Sequence, residues 1–300
     1  MDTEKVRQFM DWLNSSIRTP LSIVMRALAR YNENRAAEAA ASISYYTIFS
    51  LFPLLIFTVT AFSFFVDTEM VIQKLTELTQ YLPIPTTTIV QEVEHVLQSR
   101  GAFNIVALIG FLWAGSGVFN TLVLNLDRAF QTVERRSVVR RRLVAIAMVF
   151  GIVMILMLVF VAATLLDLSL LSRIFQAENF PQINALLQSA YTSLLPYFLR
   201  FFIIWLLYSV TPARRVNGWA AVISALLASL AWRIATSGFA WYLNSGLARY
   251  DLVYGSLGAI IAFLTWIYLS AWILLFGAFL TEAIDHHLAS RRATSAPQQG

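Results

Sequence analysis

Apolar residues run along this chain in six long stretches, each wide enough to cover more than one face of a helix. The stretches lie at about Ala36–Phe65, Phe103–Leu126, Leu143–Leu166, Leu187–Val210, Trp219–Leu243 and Gly255–Leu280. About 20 apolar residues carry a helix across a bilayer, and only structures that satisfy their own backbone cross one. The pattern therefore predicts an all-α membrane bundle of six transmembrane helices over residues 36–283. The first stretch is too long for an upright crossing, so a tilt or a kink at Pro53 is expected.

The flanking segments have their own periodicity. Phe9, Leu13 and Ile17, then Leu21, Val24, Met25 and Leu28, recur at helical spacing on either side of Pro20. Residues 1–35 read as an amphipathic segment broken at the proline, lying on the membrane surface or packed against the end of the bundle. Between the first two stretches, Ile72, Leu75 and Leu78 and then Ile89, Val93, Val96 and Leu97 predict two short helices around the Leu82-Pro-Ile-Pro break. Asp67, Glu69, Glu77, Glu92 and Glu94 make this 67–100 hairpin acidic. Residues 284–300 read as a disordered tail.

Composition agrees with a membrane solvent. Hydrophobic residues are 58% of the chain, charged residues 13%, and mean hydropathy is +0.65. No length remains for a sizeable soluble domain. The net charge of +5 and pI near 9.6 fit cationic loops on an anionic membrane surface better than nucleic-acid binding. Sixteen of the 22 Lys and Arg residues fall before the first stretch, between the second and third, between the fourth and fifth, or after the sixth. The opposite side holds four: Lys74, Arg100, Arg173 and Arg249. Both termini are accordingly expected to be cytoplasmic. No cysteine is present, which excludes disulfides, thiolate metal sites and a cysteine nucleophile. No cleavable signal is visible before Asn34, so the first span is expected to direct insertion.

The two basic residues left over, Arg200 and Arg233, lie within apolar stretches. An ionisable side chain at membrane depth is costly and marks a functional position by default. Ser193 and Tyr197 share a face with Ser189 at i, i+4, i+8, and Arg200 follows; Ser229, Arg233, Ser237 and Asn244 continue a second polar stripe. Facing inward, these stripes would line an outward-opening cavity with arginine at its floor. They are candidate contacts for an anion such as a phosphate or carboxylate head group; bonding to helix carbonyls is the structural alternative. A further stripe, Ser42, Tyr46 and Ser50, ends at Pro53, and Ser116 and Asn120 precede Asp127. These read as polar helix-packing contacts. The proline frees a carbonyl near Phe49 for a serine or water to satisfy.

Several segments resemble one known family. SYYTIFSLFPLL (Ser44–Leu55), LWAGSGVFNTLVLNLDRAF (Leu112–Phe130), WLLYSVTP (Trp205–Pro212) and the run Tyr254–Ala283 are similar, in order and spacing, to the YihY/BrkB family of bacterial inner-membrane proteins. In the last span the family commonly places glutamate directly after Gly-Ala; here Phe279 follows Gly277-Ala278 and the acid is Glu282. The resemblance implies six spans with both ends inside. An old family label, ribonuclease BN, implies metal-dependent hydrolysis. The three histidines here, His95, His286 and His287, fall on opposite predicted sides and form no His-x-His-x-Asp-His arrangement. No cofactor motif or nucleotide-binding loop is present. The expected role is transport or flipping of an anionic amphiphile, a lipid or envelope precursor. The alternative is a non-enzymatic scaffold holding envelope-assembly partners through 67–100. Oligomeric state is not encoded in any pattern found.

Overall fold

The computed structural model describes residues 19–63, 105–131, 136–165, 181–245 and 257–295. The regular elements among them are helices: α1 (19–33), α2 (Ala36–Ser63), α3 (Ile105–Gly115), α4 (Gly117–Ala129), α5 (Val138–Leu165), α6 (Pro181–Val210), α7 (Gly218–Asn244) and α8 (Gly258–Ser295). The predicted hairpin over 67–100 and the chain before residue 19 lie outside the described residues. By length and composition, Gly218–Asn244 and Ile260–Arg291 can each cross a membrane. Ile109–Gly115 and Gly117–Ala129, bent by 40°, make a third crossing if they form one span.

Helix α8 is the centre of the packing. It lies against α2 and α4 on one flank and α7 and α6 on the other. Lipid tails are as apolar as leucine, so burial alone does not drive helices together in a bilayer, and small residues that permit close approach matter most. Helix α7 presents Ala220, Ala221, Ser224, Ala225 and Ala228, all buried. Facing them, Gly277 of α8 leaves room for the Tyr208 hydroxyl, which donates to the Leu274 carbonyl at 2.8 Å. A Cβ on Gly277 would collide with that hydroxyl oxygen and stand 3.2 Å from Ala228 Cβ. A second apolar cluster, Phe57 with Val149 and Val153, joins α2 to α5.

The second apolar stretch is not one straight helix. At its midpoint Ser116 separates α3 from α4, and the hydroxyl of Ser50 on α2 fills the gap. Ser50 donates to the Ala114 carbonyl at 3.2 Å and accepts from the Val118 amide at 3.2 Å. The approach is close because Gly115 and Gly117 carry no side chain: a Cβ on Gly115 would lie 3.1 Å from the Leu54 backbone. Ser50 thus serves a break in its neighbour and not the carbonyl released by Pro53, and α2 continues through that proline to Ser63.

In the described residues α1 is helical from residue 19 through Pro20 to residue 33. Tyr31, 2% exposed, packs against Trp272 and Phe279 of α8 at ring separations of 5.3 and 5.8 Å. The apolar set Leu21, Val24, Met25 and Leu28 remains exposed on the other side. Arg35 ends the α1–α2 turn in the left-handed region, φ 51°. Helix α8 extends to Ser295, beyond residue 284 where the sequence suggested a disordered tail. Glu282, Asp285 and His286 of α8 make polar contacts with other elements.

Those contacts knit the arginine-rich end. Glu282 of α8, 2% exposed, meets Arg30 of α1 at 3.0 Å and Arg26 at 3.7 Å. Arg26 also reaches His286 Nδ1 at 2.9 Å. Asp285 pairs with Arg214 at 3.0 Å and accepts the Asn217 amide at 3.0 Å, while the Asn217 side chain caps α7 through the Trp219 amide. Asp127 of α4 pairs with Arg136 at 3.2 Å, and Arg136 donates to the Thr211 carbonyl at 2.7 Å.

This packing sets two expectations for stability. Gly277→Ala should lower the melting temperature in detergent more than Tyr208→Phe, which removes one hydrogen bond of about 1 kcal/mol. In a Tyr208→Phe background the glycine substitution should cost less, and a strictly additive double-mutant cycle would refute the steric account. Glu282→Gln leaves Arg30 facing an uncharged partner and should destabilise by about 3 kcal/mol, with part of the loss recovered in Glu282→Leu/Arg30→Met. An unchanged melt for Glu282→Gln would show that the buried pair does not fasten α1.

Candidate anion-binding sites

Two groups of arginines stand apart from the buried acid–base pairs. The first is the pair singled out in the sequence. Tyr197 and Arg200 lie one turn apart on α6, and Arg233 reaches the same place from α7. The Arg233 guanidinium sits 4.4 Å from the Tyr197 ring centroid and the Arg200 guanidinium 5.8 Å from it. Both distances are within cation–π range. Among the described residues neither arginine has a carboxylate partner. At 1.5 Å rise per residue, Arg200 is about 15 Å from the end of α6 and Arg233 about 22 Å from the start of α7. Both depths fall within a hydrocarbon layer of about 30 Å if the helices cross it, Arg200 near its middle and Arg233 beyond the middle.

The pair does not face the bundle interior. Arg233, Tyr197, Ser237 and Asn244 are exposed, Arg200 and Ser229 are half-buried, and Ser229 donates within its own helix to Leu226 at 2.9 Å. The reason lies on α7, whose alanine face takes the contact with α8 and turns the arginine stripe outward. Phe198, Leu230 and Ile234 are exposed beside the arginines, 65%, 55% and 65% respectively. Ser193 lies on α6, and its side chain is outside the described set.

The second group is at the arginine-rich end. A cavity of about 710 Å³ opens between α2, α4 and the start of α5. Ser42 and Tyr46, expected to pack helices, line it with Asn120, and Glu38 extends their stripe one turn back. Asn120 does not bond to α2: its Oδ1 accepts from Arg141 Nε at 3.1 Å. Ser116 is fully buried and donates to the Trp113 carbonyl of its own helix at 2.9 Å. Asp127 stays with Arg136. Sequence reasoning counts Arg35, Arg128, Arg141 and Arg142 only as loop charges, yet all four line this cavity. A signal for them exists in the chain: Asn120, Leu124 and Arg128 recur at i, i+4, i+8 opposite Glu38, Ser42 and Tyr46.

Histidine and acid groups do not gather into a metal centre. Among the described residues no group of three or more His, Cys, Asp or Glu could hold a metal ion.

Comparison with known proteins supplies the lineage. A family model described as Virulence factor BrkB matches residues 27–300. A membrane protein of Alkalilimnicola ehrlichii, named UPF0761, is 27% identical over 95% of this chain, and this chain spans 62% of that protein's length. A UPF0761 membrane protein of Alteromonas mediterranea is 26% identical over 100% of this chain and 99% of its own. A Bacillus subtilis protein whose name calls it ribonuclease-like, YfkH, is 28% identical over 86% of this chain and 93% of its own. No solved structure matches. With the family model spanning nearly the whole chain and apolar helices of crossing length in the fold, the chain is an integral membrane protein of the BrkB family.

Proposed function

We propose that this protein moves an anionic amphiphile, a lipid or envelope precursor, across the bacterial inner membrane. In this reading all six apolar stretches span the bilayer and both termini are cytoplasmic. The observation that carries it is the Tyr197–Arg200–Arg233 cluster, two guanidiniums at one ring without a carboxylate among the described residues. An arginine at the centre of a bilayer costs about 3 kcal/mol on insertion scales, so two of them set beside exposed Phe198, Leu230 and Ile234 need compensation. The ring contributes about 1 kcal/mol per contact. A passing anionic head group supplies the rest, while its tails lie along the apolar flank. Such a ligand has the same two-part character as the surface: charged at one point, apolar around it.

The nuclease label is not adopted for this chain. The UPF0761 names of its relatives describe membrane proteins, and the ribonuclease-like description belongs to the Bacillus subtilis relative. The scaffold alternative rests on residues 67–100, outside the described structure.

Reconstituted in liposomes, the wild type should translocate fluorescent phosphatidylglycerol faster than fluorescent phosphatidylcholine, read by dithionite quenching. Arg200→Gln/Arg233→Gln should slow the anionic lipid at least tenfold, and lysine at both sites should retain part of the rate, since the charge persists without the planar fork. Rates equal to protein-free liposomes would end the transport reading. The cysteine-free chain also permits a direct topology test. In intact spheroplasts, single cysteines at Ser137 and Ser290 should resist an impermeant maleimide and one at Ser245 should react. The reverse pattern would invert the orientation.

A further inference from the structure

The cavity at the arginine-rich end shares no residue with the Tyr197 cluster, and its chemistry is different. Arg128, Arg141 and Arg142 line it, and Glu38 is the one acid among its lining residues. Glu38 is held weakly by Arg35, at 3.8 Å across an exposed pair. With four arginines and one glutamate among its lining residues, the cavity carries a surplus of positive charge. Asp127, the neighbour of Arg128 in the chain, is paired with Arg136 and also interacts electrostatically with Arg141, which offsets part of that surplus.

Two asparagines hold the arginines in place. Asn120 Oδ1 takes the Nε hydrogen of Arg141 at 3.1 Å, and Asn125 Oδ1 takes one from Arg128 Nη1 at 3.2 Å. Asn125 is itself buried and fixed by donating to the Thr121 carbonyl at 2.9 Å. A guanidinium has five N–H donors. One bond to a neutral amide orients each fork and leaves donors for an external oxyanion. Arg142 is braced separately, stacked 4.2 Å from the Trp113 ring centroid and bonded to the Trp113 carbonyl. Positioned arginines with donors to spare suit phosphoryl oxygens in bidentate geometry. The volume of about 710 Å³ exceeds what a bare phosphate fills and lies in the range of small-molecule sites. Tyr46 and Leu124 provide apolar wall for what the phosphoryl group is attached to.

We propose that this cavity is a binding site for a phosphoryl anion carried on an organic group, held by Arg128 and Arg141 with Asn120 and Asn125 as positioning residues. The site is independent of transport through the Tyr197 cluster. A phosphoester in solution and a phospholipid head group present the same chemistry, and the test separates them.

Full-length protein in phosphatidylcholine nanodiscs is titrated with inorganic phosphate, glycerol 3-phosphate and dioctanoyl phosphatidate, reading thermal midpoint and retained ligand by native mass spectrometry. The organic phosphoesters should bind, and Arg128→Gln/Arg141→Gln should weaken them at least tenfold. Ser42→Trp should do the same by filling the cavity without touching a charge. Arg200→Gln/Arg233→Gln should bind as the wild type does, so failure here and failure of the transport reading are distinguishable. Equal binding of glycerol 3-phosphate and phosphatidate identifies a soluble source; binding of phosphatidate alone identifies the membrane. If the glutamine variant fails to fold, Ser42→Trp and Arg128→Lys/Arg141→Lys decide the question, the lysine pair retaining part of the affinity. The proposal is overturned if the wild type binds none of the probes. It is equally overturned if folded Ser42→Trp binds as tightly as wild type.

Discussion

A carboxylate removed from water must find a cation, and three such pairings organise the arginine-rich end of this bundle. Glu282 is almost completely buried and draws α1 onto α8 through Arg30 and Arg26. Asp285 ties the α6–α7 connection to the same helix, and Asp127 ties the start of the α5 segment to α4 and to the end of α6. Each pair links elements distant in sequence, so the helices meet in one arrangement at that end. Breaking the Glu282–Arg30 or Asp127–Arg136 pair would leave a charge stranded in a poorly hydrated site, which costs more than the intact pair contributes.

This pairing also explains which arginines remain available. The chain carries more basic than acidic residues, 22 against 17, and the buried acids are committed to structural partners. Arg128 hydrogen-bonds to a neutral asparagine, Arg141 to another with Asp127 near enough to interact, Arg142 stacks on an indole, and Arg200 and Arg233 meet a phenol ring. Amide oxygens and aromatic faces orient a guanidinium while leaving its charge uncancelled. Electrostatically these positions are the incomplete part of the molecule. The acid–base pairs are its closed part.

Much of the helical framework is legible in the sequence because the bilayer imposes a length and a composition on any crossing segment. The ends of α2 and α7 fall within a few residues of the apolar stretches that predict them. The break at Ser116 is not legible: Ala-Gly-Ser-Gly reads as a small-residue packing surface, and only the approach of Ser50 from another helix satisfies the interrupted backbone. The outward face of Arg233 is hidden for a related reason. Polar periodicity on α7 suggests an interior stripe, but the alanines at 220, 221, 225 and 228 compete for the same interior. In lipid the closer-packing face prevails. The arginine-lined cavity escapes sequence reading because Arg128, Arg141 and Arg142 sit at helix ends, where they pass for loop charges.

The break in the second stretch has consequences beyond its own hydrogen bonds. A straight helix through Ser116 would carry the same residues along one line against α2. Bent by 40°, α3 stays close to α2 at Leu54 while α4 departs along a different direction toward α8. Ser50 sits at the vertex, and the cavity opens beyond it, where Ser42 and Tyr46 on α2 face Asn120 and Thr121 on α4. A serine hydroxyl is the smallest side chain that can both donate to Ala114 and accept from Val118, and the flanking glycines are what let it reach them. Three small residues therefore position the polar wall of a cavity they do not themselves charge, and the arginines are supplied from helix ends that the acid–base pairs hold in place.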